Sequence, residues 1–139
     1  MGNKDKAYAQ FAALPWRRGA DGGVEVLLIT SRETGRWVIP KGWPMDGVGP
    51  SAAAAQEAWE EAGVRGEAGE VPLGVYGYDK LRKGERQPMM VTVFPLQVRE
   101  VHDDWPEKAE RTRFWTTPAD AAPRVAEPEL AAILRRFAP

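Results

Sequence analysis

The alternation of apolar and polar positions cuts this chain into several short extended runs, one Ala-rich helical segment and a closing apolar stripe. Residues 7–16, AYAQFAALPW, predict a strand in which Pro15 marks an edge or a bulge. Arg17 to Gly23 turns the chain, and VEVLLIT at 24–30 is apolar enough for a buried central strand. After a turn at 31–35, residues 36–39 form a short strand that stops at Pro40. Beyond the Ala-rich helix, 66–70 reads as a loop or strand start, 71–79 as a strand loosened by Gly74 and Gly77, and 80–88 as a charged hairpin tip. MMVTVFPLQV at 89–98 is a further strand, with Pro95 again implying an edge or a bulge. A loop at 102–110, a strand at 111–116 and helices at 118–122 and 127–137 complete the pattern. Leu130, Ile133, Leu134 and Phe137 share one stripe of the last helix. The order gives an α/β chain, a mixed β-sheet flanked by helices. Residues 1–6 are polar and expected to fray.

Residues 42–64, GWPMDGVGPSAAAAQEAWEEAGV, hold the strongest local signal. A loop rich in Gly and Pro enters a helix for which Ser51 is the expected N-cap and Gly63 the left-handed stop. Ala54, Ala55, Ala58, Trp59 and Ala62 fill the arc for burial, while Glu57, Glu60 and Glu61 stand at i, i+3 and i+4 on another face. Like charges at that spacing cost about 0.2–0.5 kcal/mol per pair, and no Lys or Arg on that face offsets them. An acidic solvent face is one reading. The other is a site for a hard cation, since Mg²⁺ takes carboxylate oxygens, keeps several waters and works with substrate phosphates.

Composition narrows the classes. The 139 residues make one domain, 1–139, large enough for a real core. A net charge of −1 excludes bulk electrostatic attraction to nucleic acid or to an anionic membrane surface. There is no Cys, hence no disulfide and no thiolate chemistry, which fits a reducing compartment and a cytoplasmic location. The single histidine, His102, leaves no His-based triad or His-rich metal site. No signal peptide and no apolar run of membrane-spanning length is present. Arg outnumbers Lys by 13 to 6, from genomic base composition or from phosphate recognition, which the planar Arg fork serves well.

The loop and helix resemble the Nudix hydrolase signature, G-x5-E-x7-R-E-U-x-E-E-x-G-U with U aliphatic. Gly42, Glu57, Ala58, Glu60, Glu61, Gly63 and Val64 match it without a gap. Two positions depart: Val48 stands where the pattern has Glu, and Gln56 where it has an Arg that helps orient a neighbouring glutamate. The runs VEVLLITSRETGRWVIPKGW, EEAGVRGEAGEVPLGVYGY and DDWPEKAERTRFWTTPADA are similar to the diphosphoinositol polyphosphate phosphohydrolase branch, over residues 9–122.

The resemblance implies a Nudix α/β/α sandwich and an enzyme that uses Mg²⁺, or Mn²⁺, to cleave phosphoanhydride bonds. It implies that Glu57, Glu60 and Glu61 hold or orient the cations, with the backbone carbonyl of Lys41 completing the shell. One of these carboxylates, or a later acid, deprotonates the attacking water. Glu107 and Glu110 both precede the last strand, and Glu110 is the expected one. Arg32 matches a phosphate-contacting Arg of the inositol branch. Lys41 and the pair Arg17 and Arg18 are further candidates for substrate binding, as is Arg86 with its hairpin neighbours Lys80, Arg82 and Lys83. Trp43 is expected to pack against the core. The substrate is then a small polyphosphorylated molecule, a diadenosine polyphosphate or a diphosphoinositol polyphosphate, with no membrane partner. Two other readings stay open: a pyrophosphohydrolase acting on the 5′ end of RNA, and a ligand-binding Nudix module weakened by Val48 and Gln56.

Overall fold

Every element is arranged about one mixed sheet. The computed structural model describes residues 7–139, so the fraying expected of 1–6 lies outside the described residues. The strands are β1 (Tyr8–Arg18), β2 (Val24–Thr30), β3 (Trp37–Val38), β4 (Lys41–Gly42), β5 (Val64–Ala68), β6 (Gly74–Arg82), β7 (Glu85–Val101) and β8 (Arg113–Thr116). The helices are α1 (Pro50–Glu57), continued by a π turn at Ala58–Ala62, then α2 (Pro118–Ala121) and α3 (Pro128–Arg136). The path across the sheet runs β3-β2-β1-β7-β5, with β4 also on β1, β6 on β7 and β8 on β2. The central pair β1 and β7 is parallel, and the other pairs are antiparallel.

Side-chain alternation splits the core in two. Ala12, Leu14, Val26, Leu28, Val91 and Val93 face α3 with its Leu130, Ile133 and Leu134. Ala13, Leu27, Ile29, Phe94 and Leu96 face α1 and the π turn, which meet them through Ala54, Ala58 and Ala62. The run VEVLLIT is apolar at successive positions because both of its faces are covered. The expected α/β/α sandwich is therefore present. Among the described residues no helix is long and apolar enough to cross a membrane.

Several boundaries differ from expectation, each for a local reason. Gly49, not Ser51, caps α1, because Pro50 supplies the first helical residue with its φ already set. Trp59 stays out of the core: the helix approaches the sheet through a seam of alanines too narrow for an indole. It lies at the rim instead, 4.0 Å from the Arg65 guanidinium and 5.0 Å from the His102 ring. The strand expected at 71–79 is shifted to Gly74–Arg82, and residues 64–68 form a strand of their own on β7. The hairpin tip expected at 80–88 shrinks to Lys83 and Gly84, both at positive φ, 50° and 78°, as a two-residue hairpin turn requires.

Neither proline marks an edge. Pro15 and Pro95 lie in the two central strands, in the registers Leu14↔Pro95 and Pro15↔Leu96. On its other side β1 pairs with β4 at Phe11 and Ala12, then with β2 from Trp16 onward, and Pro15 falls in the gap. β7 likewise pairs with β6 up to Val93 and with β5 from Leu96. Each proline sits where its strand changes neighbours, so its missing N–H interrupts none of the pairings on that side.

Gly63 ends the helix at φ 69°, and a Cβ there would lie 2.6 Å from the ring of Trp105. Gly35 has nearly the same φ, 68°, but open space around it. Gly35→Ala should thus cost about 1–2 kcal/mol, the left-handed backbone alone. Gly63→Ala should cost more than about 2 kcal/mol, because the indole must move too. Urea unfolding of the two variants checks this, and equal midpoints would contradict it.

Candidate functional site

The site begins at the contact between β4 and the end of α1. β4 pairs with β1 through Phe11↔Gly42 and Ala12↔Lys41, which fixes the signature loop on the sheet. A Cβ at Gly42 would fall 2.3 Å from the Glu57 carboxylate, so the absent side chain is the seat of that carboxylate. Glu57 shares a hydrogen bond with Glu61, and Gln56 donates from Nε2 to Glu60 Oε2 at 2.7 Å.

The helix end would leave backbone carbonyls unpaired, and one segment satisfies them in succession. The Glu107 N–H donates to the Glu60 carbonyl at 3.0 Å, and Trp105 Nε1 to that of Glu61 at 3.1 Å. Arg113 Nη1 donates to the Ala62 carbonyl at 3.1 Å, and the His102 N–H to that of Gly63 at 2.9 Å. This docking carries Glu107 to the acidic face. There Arg111 donates to Glu107 Oε1 from Nε at 3.0 Å and from Nη2 at 2.7 Å. The same Nη2 lies 3.4 Å from Glu61 Oε1, and Nη1 donates to the Thr30 carbonyl at 3.0 Å.

Burial and crowding set the charges. The Glu57 carboxyl is pushed up from the usual 4.5 to about 8, by burial first and by Glu61 next. Burial raises the Glu61 carboxyl too, against the pull of Arg111 and Lys41. Desolvation lowers the Lys41 ammonium, with Glu61 and Glu127 opposing.

The structure gathers some of the candidate residues and disperses others. Arg32 lies at the rim, 3.9 Å from Glu107 Oε1 and 3.9 Å from Glu110 Oε2. Glu107 is thus the acid that joins the cluster, while the Glu110 side chain is half exposed. Lys41 extends over the Tyr78 ring at 5.1 Å, beside the β6–β7 hairpin. That hairpin leans over the signature loop, with Arg82 at 5.8 Å from the Trp43 ring. Trp43 does not pack into the core. It is 39% exposed, edge-on to Tyr8 at 6.2 Å. Arg86 reaches Asp79 at 3.5 Å and is exposed. Arg17 and Arg18 lie away from the acids, at the opposite end of β1 from Gly42. Arg17 binds Glu25 at 2.9 Å and stacks 3.8 Å over Trp115, and Arg18 reaches the Gly22 carbonyl at 3.3 Å. The buried Arg111 escapes a reading of sequence alone, although its i, i+4 spacing from Glu107 was a signal.

Comparison with known proteins fits this arrangement. The NUDIX domain family matches residues 10–137, nearly all of the chain. The chain belongs to the Nudix family. It is 38% identical over 106 residues to Nudix hydrolase 12, mitochondrial, of Arabidopsis thaliana, covering 70% of this chain and 50% of that protein. It is 38% identical over 100 residues to diphosphoinositol polyphosphate phosphohydrolase 3-alpha of Mus musculus, covering 70% of this chain and 57% of that one. The chain therefore spans about half the length of the curated relatives it matches. Among solved structures, an Ap4A hydrolase of C. elegans superposes with TM-score 0.64 at 22% identity, covering 95% of this chain and 96% of the other. A Nudix hydrolase from Nitrosomonas europaea gives TM-score 0.69 at 19% identity, covering 94% and 87%. These last two show the shared fold.

Nudix hydrolases generally use divalent metal ions, and the donors here suit one. The facing groups are carboxylate oxygens, and the Glu57–Glu61 hydrogen bond needs a proton that a cation would replace. Among the described residues no three acidic or histidine side chains form a ready-made cage, since Glu60 is turned to Gln56.

The metal-free Nudix chain should show this in its pH dependence. Folding raises the Glu57 carboxyl from 4.5 to about 8, so the folded state holds the proton more tightly. Stability is then greatest below the lower value and declines as pH rises through that window. The melting temperature of chelator-treated protein should fall across it, Glu57→Gln should flatten the fall, and Mg²⁺ should reverse it. A flat wild-type profile would contradict the crowding.

Proposed function

We propose that this chain is a hydrolase of phosphoanhydride bonds in small polyphosphorylated molecules, diadenosine polyphosphates or diphosphoinositol polyphosphates, and that it works with Mg²⁺ or Mn²⁺. The observation that carries the reading is the Glu57–Glu61 pair seated on Gly42, with Glu60 and Glu107 beside it. Its similarity to a diphosphoinositol polyphosphate phosphohydrolase over 70% of the chain supports the substrate class.

Glu57, Glu60 and Glu61 would hold the cation, with the Lys41 carbonyl at the start of the short strand β4, next to Gly42. Bound there, a divalent cation screens the diphosphate and lowers the pKa of a water. Glu107 is better placed than Glu110 to take a proton, since Arg111 holds it against Glu61. Arg32, exposed beside Glu107, and Lys41 present charge to phosphate oxygens, and Lys80 and Arg82 extend that basic side along the overhanging hairpin. Arg86 is paired with Asp79, and Arg17 and Arg18 with Glu25 and the Gly22 carbonyl, so these three come second to Arg32 and Lys41 as phosphate contacts. The cysteine-free composition agrees with a cytoplasmic location.

Phosphate release from a panel of inositol pyrophosphates, dinucleoside polyphosphates, ADP-ribose and triphosphate-ended RNA tests the reading. Release should vanish with chelator, return with Mg²⁺ or Mn²⁺, and be fastest for the first two classes. Glu60→Gln and Glu61→Gln should each lower kcat by about a hundredfold or more with the fold intact. Chelator-insensitive turnover, or active glutamine variants, would overturn it.

Arg32→Ala should raise KM more for long phosphate chains than for short ones. Each charge-assisted contact contributes about 1.5–3 kcal/mol when well formed. A KM change independent of phosphate number would remove Arg32 from the binding surface.

A further inference from the structure

Glu61, Glu60 and Glu107 all act electrostatically on Glu57 at the end of the signature helix, with Glu60 turned to Gln56, yet the helix itself offers these acids no cation. Position 56, where the signature has Arg, holds Gln, and its neutral amide serves Glu60 alone at 2.7 Å. Among the described residues the cation in ion-pair contact with Glu61 is Arg111, whose side chain is only 7% exposed. We propose that Arg111 is the positioning residue that replaces the absent helix arginine, its guanidinium holding Glu61 and Glu107 as an oriented pair.

The geometry favours a guanidinium over any other cation. Nη1 is fixed on the Thr30 carbonyl at 3.0 Å, at the end of β2. Nε and Nη2 then face Glu107 at 3.0 and 2.7 Å, and Nη2 reaches Glu61 at 3.4 Å. One rigid plane thus addresses a sheet carbonyl and two acids at once, which a lysine's single nitrogen cannot do. Tying the loop to the sheet is already done by other bonds. The Thr112 N–H donates to Thr30 Oγ1 at 2.9 Å, and the Thr30 N–H to the Thr112 carbonyl at 3.1 Å. With its side chain only 7% exposed and its donors taken by Thr30, Glu107 and Glu61, Arg111 acts through the two glutamates. Those glutamates come from distant parts of the chain, one on the helix and one on the docked loop. The guanidinium is what registers them against each other.

This inference rests on the metal reading above, and its test is chosen to separate the two. The variants are Arg111→Gln, Arg111→Lys, Gln56→Arg and the double variant Arg111→Gln/Gln56→Arg. Two readouts are taken: Mn²⁺ affinity from the free-ion electron paramagnetic resonance signal, without substrate, and kcat and KM measured apart. Arg111→Gln should weaken Mn²⁺ binding by about tenfold or more and lower kcat at least as much, with KM little changed. Gln56→Arg should restore about tenfold in the Arg111→Gln background, more than any change it makes in the wild type, because it returns a guanidinium to the acidic face beside Glu60. Where circular dichroism shows Arg111→Gln unfolded, Arg111→Lys, which keeps the charge but loses the fork, carries the same comparison with and without Gln56→Arg. Equal effects of Gln56→Arg in both backgrounds, or unchanged Mn²⁺ affinity in Arg111→Gln, would overturn the positioning role while leaving the metal site standing. A wild-type protein that binds no Mn²⁺ would overturn both.

Discussion

The site depends on the way the helix end is closed. Four consecutive carbonyls, from Glu60 to Gly63, accept hydrogen bonds from Glu107, Trp105, Arg113 and His102. A buried carbonyl left without a partner costs about 1–3 kcal/mol, so the segment before β8 is held to the helix by need as much as by attraction. A wider π turn at Ala58–Ala62 ends in a left-handed glycine with an indole laid across it. Through this closure an acid distant in sequence, Glu107, arrives beside Glu61.

The chemistry lies between two apolar layers, and the layers explain why it can be so crowded. The alanine seam of α1 holds the helix close to the sheet, and the Gly42 backbone lies directly beneath Glu57. Carboxylates that would spread apart in water are kept together by packing that does not concern them. The basic groups come from other elements: Arg32 follows β2, Lys41 opens the short strand β4, and the hairpin brings Lys80 and Arg82. Acid and base reach the same cleft by different routes, so one set can change without the other.

How much of this was legible beforehand follows the range of the interactions. The signature spacing, the left-handed stop at Gly63 and the apolar run of β2 are local, and the sequence shows them directly. Fold class followed from the order of those local patterns. What escaped was non-local. Glu107 and Glu110 are equivalent as text, and only the docking of the loop separates them. Arg111 reads as the first residue of a short strand, whereas its partners lie on β2 and on the signature helix. Trp59 fell on the buried arc of an ideal wheel, which takes no account of how near the sheet stands. The rule that puts a strand proline at an edge or a bulge has an exception that needs the topology: a central strand with a gap in its pairing on one side.

That pair of prolines has a consequence for how the chain finds its fold. On the side away from their shared pairing, β1 and β7 each take two partners in succession, and each proline sits where one partner gives way to the next. A slide of β1 against β2 and β4, or of β7 against β5 and β6, would carry Pro15 or Pro95 out of its gap and into a ladder position that demands an N–H. The mismatch penalises wrong alignments and spares the right one. The two rings act as a notch and key, selecting one registration among many before the helices close over the sheet.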